Sequence, residues 1–523
     1  CVLLLGALNL IAQIASIFFL LSYAGVNMAC LALDLASAPN FRPNFKYFSW
    51  HTALAGFIGC VAMMFVIDPV FTGIAIIILL LLLMSLHYLA PMASWGSISQ
   101  ALIFHQVRKY LLLLDSRKDH VKYWRPQMLL LVNNPISCCP LIDFVNDLKK
   151  SGLYIIGHVK RGDFDNCRSD QVVDDYPYWL GLVDYMRIKA FVELTVADTI
   201  RHGIQHLVRI SGIGAMKPNT IVMGFYDARD SEETGQGTMG TTGLVDTFRN
   251  ANMIKTIKYA RLEREDIEEY FRDIRTHHSP RSEHLSKLEY VHIVADCLRM
   301  RKNVCIARHF ASLDKAAIFR DREAAFIDVW PIDMDRPSSF ASSAGFDNSC
   351  LFLLQMACIL NMVSKWKSRM RLRVFLCITS LQDVKSRDNQ LRKMLQELRI
   401  KAKTIMVPWD HVVCHLPSTT ATASDQSKTK NTTANGAVES IRPDAPESAL
   451  DFSVVNRRYI EAMNETIRRH TDRSSSLLFV NMPVPPATPT QYPQYLDNLD
   501  TLTAGLPPTL LVHGIASVIS TAL

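Results

Sequence analysis

Three runs free of Asp, Glu, Lys and Arg dominate the first 107 residues: Cys1 to Leu33, Tyr47 to Ile67 and Pro69 to Val107. A helix crosses a bilayer core with about 20 apolar residues, and lipid leaves backbone amides no partner outside their own segment. The pattern predicts membrane-spanning helices over Leu4–Leu33, Phe48–Ile67 and Val70–Tyr88. Buried helices of a soluble core would show the same runs, but not the charges that separate them. Asp34–Tyr47 carries Arg42, Lys46 and two prolines, and Asp68-Pro69 has no base. Arg108, Lys109, Arg117, Lys118, Lys122 and Arg125 come after the third span. The positive-inside rule then puts Arg42, Lys46 and everything after Tyr88 in the cytosol.

The first span is not uniformly apolar. Asn9, Gln13, Ser16, Ser22, Tyr23 and Asn27 interrupt it; such groups bond neighbouring helices or line ion paths. Gly56 and Gly59 in the second span predict close helix packing. The third, Leu/Ile-rich from Ile74 to Leu83, has no polar face and suits lipid or a partner protomer.

After residue 90 the pattern changes. Ser97–Leu114 reads as an amphipathic helix, placed to couple the membrane to the soluble region. Short apolar runs then alternate with helical periodicity. Strands are predicted over Gln127–Val132, Leu153–Val159, Ile188–Leu194, Thr220–Tyr226, Val304–Arg308 and Ala325–Val329. Further strands are predicted over Leu372–Thr379, Thr404–Val407, Leu477–Asn481 and Thr509–Val512. Helices intervene, Leu141–Lys150, Thr199–Ser211, Leu351–Ser364 and Val455–Thr471 among them. Strand–helix–strand alternation implies a mainly parallel sheet. Arg229–Gly243 lacks a packing pattern, and Pro417–Ser448 has too few large apolar groups to order itself. No internal repeat of short period is evident.

Composition narrows the chemistry. The chain has 523 residues and a formal charge of +7, with bases interspersed among acids except after the last apolar run; this fits a membrane-facing surface, not nucleic acid. Twelve scattered cysteines without metal-ligand spacing read as free thiols of a reducing compartment, and the sequons at Asn431 and Asn464 would be silent there. Cys1 opens inside a hydrophobic run with no basic segment before it, so a portion of a longer protein is expected, not a secretory leader. Gly212-Ile213-Gly214 comes after a helix and before a strand, the reverse of the dinucleotide fingerprint, and reads as a helix end and turn. His513-Gly514, Asp328 and Asp333 have no companions in sequence. Neither an enzymatic constellation nor a metal or cofactor site is expected.

Ala38-Pro39-Asn40-Phe41-Arg42-Pro43, Trp95-Gly96, Trp124-Arg125-Pro126-Gln127, Gly214-Ala215-Met216-Lys217-Pro218-Asn219, Arg371-Leu372-Arg373-Val374-Phe375 and the closing Leu510-Leu511-Val512-His513-Gly514 resemble the cation–chloride cotransporters, solute carrier family 12. Phe48-Ser49-Trp50-His51-Thr52, Phe104 to Tyr110 and Arg117 to Lys122 are most similar to its ninth-member branch, the cotransporter-interacting type. The resemblance implies an α-helical polytopic membrane protein holding the last three spans of an inverted-repeat transporter fold, plus a cytosolic α/β domain. In these terms the chain divides into spans (1–90), coupling helix and linker (91–126), regulatory α/β domain (127–416), disordered loop (417–450) and the end of that domain (451–523). It further implies chloride and a monovalent cation as substrates, a homodimer in lipid, and Tyr23 as a hydroxyl donor to chloride. The implied function is cation–chloride symport at the plasma membrane, with an endolysosomal membrane as the alternative site. A transport-inactive accessory subunit that binds other cation–chloride cotransporters is the alternative role.

Overall fold

The structure is a computed structural model and describes residues 8–36, 41, 43–89, 98–114, 124–163, 170–226, 264–277, 285–320, 325–334, 347–378, 384–415, 452–471 and 475–515. Arg42 and the segments Arg229–Gly243 and Pro417–Ser448 lie outside the described residues. The chain forms two compact units, Cys1–Arg117 and Lys118–Leu523.

In the first unit, α1 (Leu8–Leu35), α2 (Trp50–Ile67) and α3 (Pro69–Leu89) are the helices long and apolar enough to cross a membrane. Ser49 starts α2 by accepting the Thr52 amide, while Thr52 Oγ1 accepts the Ser49 amide at 2.9 Å. Such reciprocal capping satisfies donors that a helix start leaves orphaned. At the next joint Pro69 has no amide to offer, and Asp68 Oδ1 accepts from Val70 and Phe71 at 2.8 and 3.1 Å. The buried Thr72 hydroxyl lies 2.7 Å from the carbonyls of both Met64 and Asp68. A small core of Ile17, Met64 and Ala75 joins the helices. Gly56 lets α2 approach Asn27, whose Oδ1 stands 2.9 Å from where a Cβ would be; Gly59 faces open space. A fourth helix, α4 (Ile98–Leu113), comes next.

The second unit is a ten-stranded sheet flanked by helices. Its first half runs β1 (Met128–Leu131), α5 (Pro135–Leu148), β2 (Tyr154–Arg161), α6 (Gln171–Tyr185), β3 (Phe191–Ala197), α7 (Ile200–Ile210), β4 (Thr220–Gly224), α8 (Arg264–His277), α9 (Lys287–Arg299) and β5 (Asn303–Arg308). The second half runs α10 (Lys315–Arg320), β6 (Ala325–Trp330), α11 (Asn348–Asn361), α12 (Ser364–Arg369), β7 (Met370–Ile378), α13 (Val384–Glu397), β8 (Ala402–Pro408), α14 (Asp410–Val413), α15 (Arg457–His470), β9 (Ser475–Asn481), α16 (Tyr492–Thr503) and β10 (Thr509–His513).

The spatial order is β3-β2-β1-β4-β5-β10-β9-β6-β7-β8. Numbered within its own half, each set of five strands reads 3-2-1-4-5, a doubly wound order. All pairings are parallel except the seam, where β10 runs antiparallel to β5. Two equal halves meeting fifth strand to fifth strand are related by a pseudo-two-fold axis. The sequence shows no such repeat at short period; it exists at the scale of half a domain. Two apolar layers, one on each face of the sheet, make the core, which is why the strands read as continuous apolar runs.

Helices α5 and α6 are among those that differ from expectation. α5 begins at Pro135, six residues before the predicted Leu141, because Asn134 caps it and proline suits a first helical position. Pro140 inside it forfeits only one ladder bond. The apolar pattern does not predict α6; Pro177 and the acids Asp174 and Asp175 mask a helix that Asp170 caps and that buries Trp179, Leu182 and Val183.

Candidate functional site

Hydroxyl and amide groups in lipid must bond within reach, and α1 does this locally. Ser16 Oγ donates to the Ala12 carbonyl at 2.8 Å, Ser22 Oγ to Phe18 at 2.9 Å, and Asn27 Nδ2 to Tyr23 at 3.0 Å. This back-bonding to the preceding turn satisfies the polar groups without another helix. At about 100° per residue, Gln13, Ser16, Tyr23 and Asn27 fall along one stripe of the helix, beside the buried face of Ile17 and Ala24. Ser22 lies off that stripe. Tyr23, the residue singled out for chloride, is 61% exposed, and no described residue bonds its hydroxyl. Gln13, Ser16 and Tyr23 are exposed along the stripe, whereas α2 approaches Asn27 at Gly56. A cleft between α1 and α3, lined by Ile14, Phe18, Phe71, Ile74 and Ile78, is apolar and offers an ion no donor.

Doubly wound sheets reserve another place for ligands, the crevice at the carboxyl ends where strand order reverses. In the second half this lies between β6 and β9, and it is closed. Ser349 Oγ donates to Asn481 Oδ1 at 2.7 Å and accepts the Gly514 amide at 3.1 Å; Asn481 Nδ2 reaches the Ile332 carbonyl at 3.1 Å. His513, a residue without sequence companions, holds the Met482 carbonyl through Nδ1 at 3.0 Å, and burial lowers its pKa below the usual histidine value. Gly514 has no room for a side chain, since a Cβ would stand 2.3 Å from Phe352.

Asp328 forms a buried ion pair. Arg373 Nε and Nη2 reach its two carboxylate oxygens at 2.7 and 2.8 Å, and Ser475 bonds both partners. The guanidinium also lies 4.2 Å from the Phe326 ring centroid. Sequence reasoning misses this cluster. The available signal is an arginine inside an apolar strand, at a position that pairs in register with Asp328. No group of His, Cys, Asp and Glu suited to a metal ion occurs among the described residues.

Three membrane-length helices joined to a doubly wound tail define a membrane protein with a large α/β domain, and comparison with known proteins supplies its family. The amino acid permease family model matches residues 1–130, and that of solute carrier family 12 matches residues 139–238 and 346–522. The chain belongs to solute carrier family 12, the cation–chloride cotransporters. It is 44% identical to solute carrier family 12 member 9 of Xenopus laevis over 529 residues, covering 100% of this chain and 54% of that protein. It is 34% identical to vacuolar cation-chloride cotransporter 1 of Saccharomyces cerevisiae over 423 residues, covering 78% of this chain and 36% of that protein. The crystal structure of the cytoplasmic domain of a prokaryotic cation chloride cotransporter covers 76% of this chain and 100% of its own at 13% identity, with a TM-score of 0.38. The chain spans about half the length of its member 9 relatives.

Proposed function

We propose that this chain is the terminal part of a chloride-coupled cation symporter that works by alternating access around a midplane site, with Tyr23 donating its hydroxyl to chloride. The observation that carries this reading is the exposed Tyr23 hydroxyl beside the exposed Gln13 and Ser16 of α1, in a chain of this family. A phenolic O–H in a low-dielectric setting suits an anion, and local back-bonding leaves that donor unspent. The doubly wound tail is cytosolic, as the bases flanking the spans favour, and it regulates and dimerises the transporter. The name of the yeast relative favours an endolysosomal membrane over the plasma membrane.

Tyr23→Phe in the full-length protein tests the site. Losing one hydrogen bond to an ion, about 1.5–3 kcal/mol, raises the chloride concentration for half-maximal tracer flux about 10-fold or more, with surface or organelle abundance unchanged. Unaltered chloride dependence removes Tyr23 from the site. A reconstituted full-length protein that moves neither chloride nor rubidium alone points instead to the accessory role.

A further inference from the structure

In a parallel α/β sheet the helix C-termini and the strand N-termini share one end, and in the first half of the tail that end is predominantly basic. Its connections are residues 124–127, 149–153, 186–190, 209–219 and 299–302; they contain Arg125, Lys149, Lys150, Arg187, Lys189, Arg209, Lys217, Arg299, Arg301 and Lys302 and no Asp or Glu. Of the nearest acids, Asp147 is engaged by Lys315 and Trp366, and Asp296 by Arg201 and Gln205 and, at 3.5 Å, by Arg299 of this end. Asp184, in the last turn of α6, is the exposed exception. The opposite end differs, with Asp163, Asp170 and Asp198 in the described parts of its connections. Like charges crowd at the basic end. The pKa of Lys149 is lowered to about 8 by burial and then by Lys189, and that of Lys302 is lowered by burial and then by Lys217.

From the middle of this surface projects an apolar turn. Ile213 and Met216 exchange backbone bonds at 3.1 and 3.0 Å, and Gly212 and Gly214 supply the positive φ, +88° and +61°, that so tight a reversal needs. Ile210, Ile213 and Met216 are 73%, 70% and 38% exposed. The turn is held on a firm base: Asn219 Nδ2 donates to the Arg125 carbonyl at 2.9 Å, its Oδ1 accepts the Gln127 amide at 3.0 Å, and Lys302 Nζ reaches the Pro218 carbonyl at 2.7 Å. Those bonds tie it to Arg125 and Gln127.

We propose that this end of the tail is a membrane-surface contact, with the Ile213–Met216 turn seated at the headgroup boundary of an anionic phospholipid leaflet and the surrounding exposed lysines and arginines, the buried Lys149 apart, on its phosphates. Apolar tips ringed by bases have the composition of peripheral lipid contacts, and the excess of bases over acids at this end complements an anionic leaflet. The inference rests on the cytosolic placement proposed above, but not on Tyr23 or on transport.

Hydrogen exchange of the full-length protein in nanodiscs tests it, comparing phosphatidylcholine alone with phosphatidylcholine plus phosphatidylserine. Residues 209–219 are expected to exchange several-fold more slowly in the anionic discs, with β1 and β4 unchanged. Each base near an anionic surface is worth roughly a factor of five in binding, so Arg209→Glu with Lys217→Glu abolishes the difference, as does Ile213→Ser with Met216→Ser. Unchanged exchange of β1 and β4 in the variants shows that they are folded. Equal exchange of 209–219 in both discs, or protection that survives both double substitutions, overturns the proposal and indicates a protein neighbour. Labelling of Lys217 from the lumen of intact vesicles would instead overturn the cytosolic placement.

Discussion

At the scale of single residues, polar groups within apolar runs are the hardest to read from sequence. Asn464 sits in a sequon that compartment alone is expected to silence; in the fold its Nδ2 bonds the Leu502 and Ala504 carbonyls, so in the folded chain the amide is buried and already engaged. Arg373 and Asp328 lie 45 positions apart, and only strand register brings them together. A sequence shows such a pair as two oddities; the sheet makes them one object. His513 should make stability depend on pH. Its Nδ1 hydrogen points at a carbonyl, and burial lowers its pKa, so the native state resists a second ring proton that the unfolded chain takes up near pH 6.5. Below that pH the unfolded state binds more protons, and stability falls as pH drops towards the folded pKa. Urea unfolding of the purified chain at pH 7.5 and 5.5 should show this loss, and His513→Asn, which keeps a donor, should reduce it. An equal loss in the variant would place the titration elsewhere.

At the scale of elements, apolar periodicity carries most of the information. The spans, expected at Leu4–Leu33, Phe48–Ile67 and Val70–Tyr88, are found as Leu8–Leu35, Trp50–Ile67 and Pro69–Leu89. Strands buried on both faces announce themselves as Val/Ile/Leu runs, and all ten lie within a few residues of where such runs fall. Prolines defeat the pattern in α5 and α6, because a capped helix start tolerates a residue that usually ends one. Helix packing is only half legible: Gly56 and Gly59 look alike in sequence, yet one meets Asn27 and the other nothing. Gly56→Leu must displace the Asn27 side chain and its bond to Tyr23, costing about 1–3 kcal/mol. Gly59→Leu should stay within about 0.5 kcal/mol of the parent chain. Detergent titration of the purified chain, followed by circular dichroism, separates them; equal losses would mean that Asn27 does not limit the approach of α1 and α2.

For the whole molecule, the strand order is beyond the reach of sequence patterning. Periodicity predicts how many strands there are and that most run parallel, but the doubled 3-2-1-4-5 order and its antiparallel seam depend on which edge each crossover chooses. The seam joins Thr509–His513 to Val304–Arg308 in mid-sheet, where both strands are buried, so neither half can open without exposing a fifth strand of the other. Native-state hydrogen exchange should therefore give β1 and β9 the same opening free energy and the same denaturant dependence. A difference beyond about 1 kcal/mol would show that the halves open separately. The short connection from β5 to β6, residues 309–324, has a thermodynamic consequence of its own. It keeps the two halves at an effective concentration on the order of millimolar, so their union obeys no mass action and survives dilution to a few copies per cell.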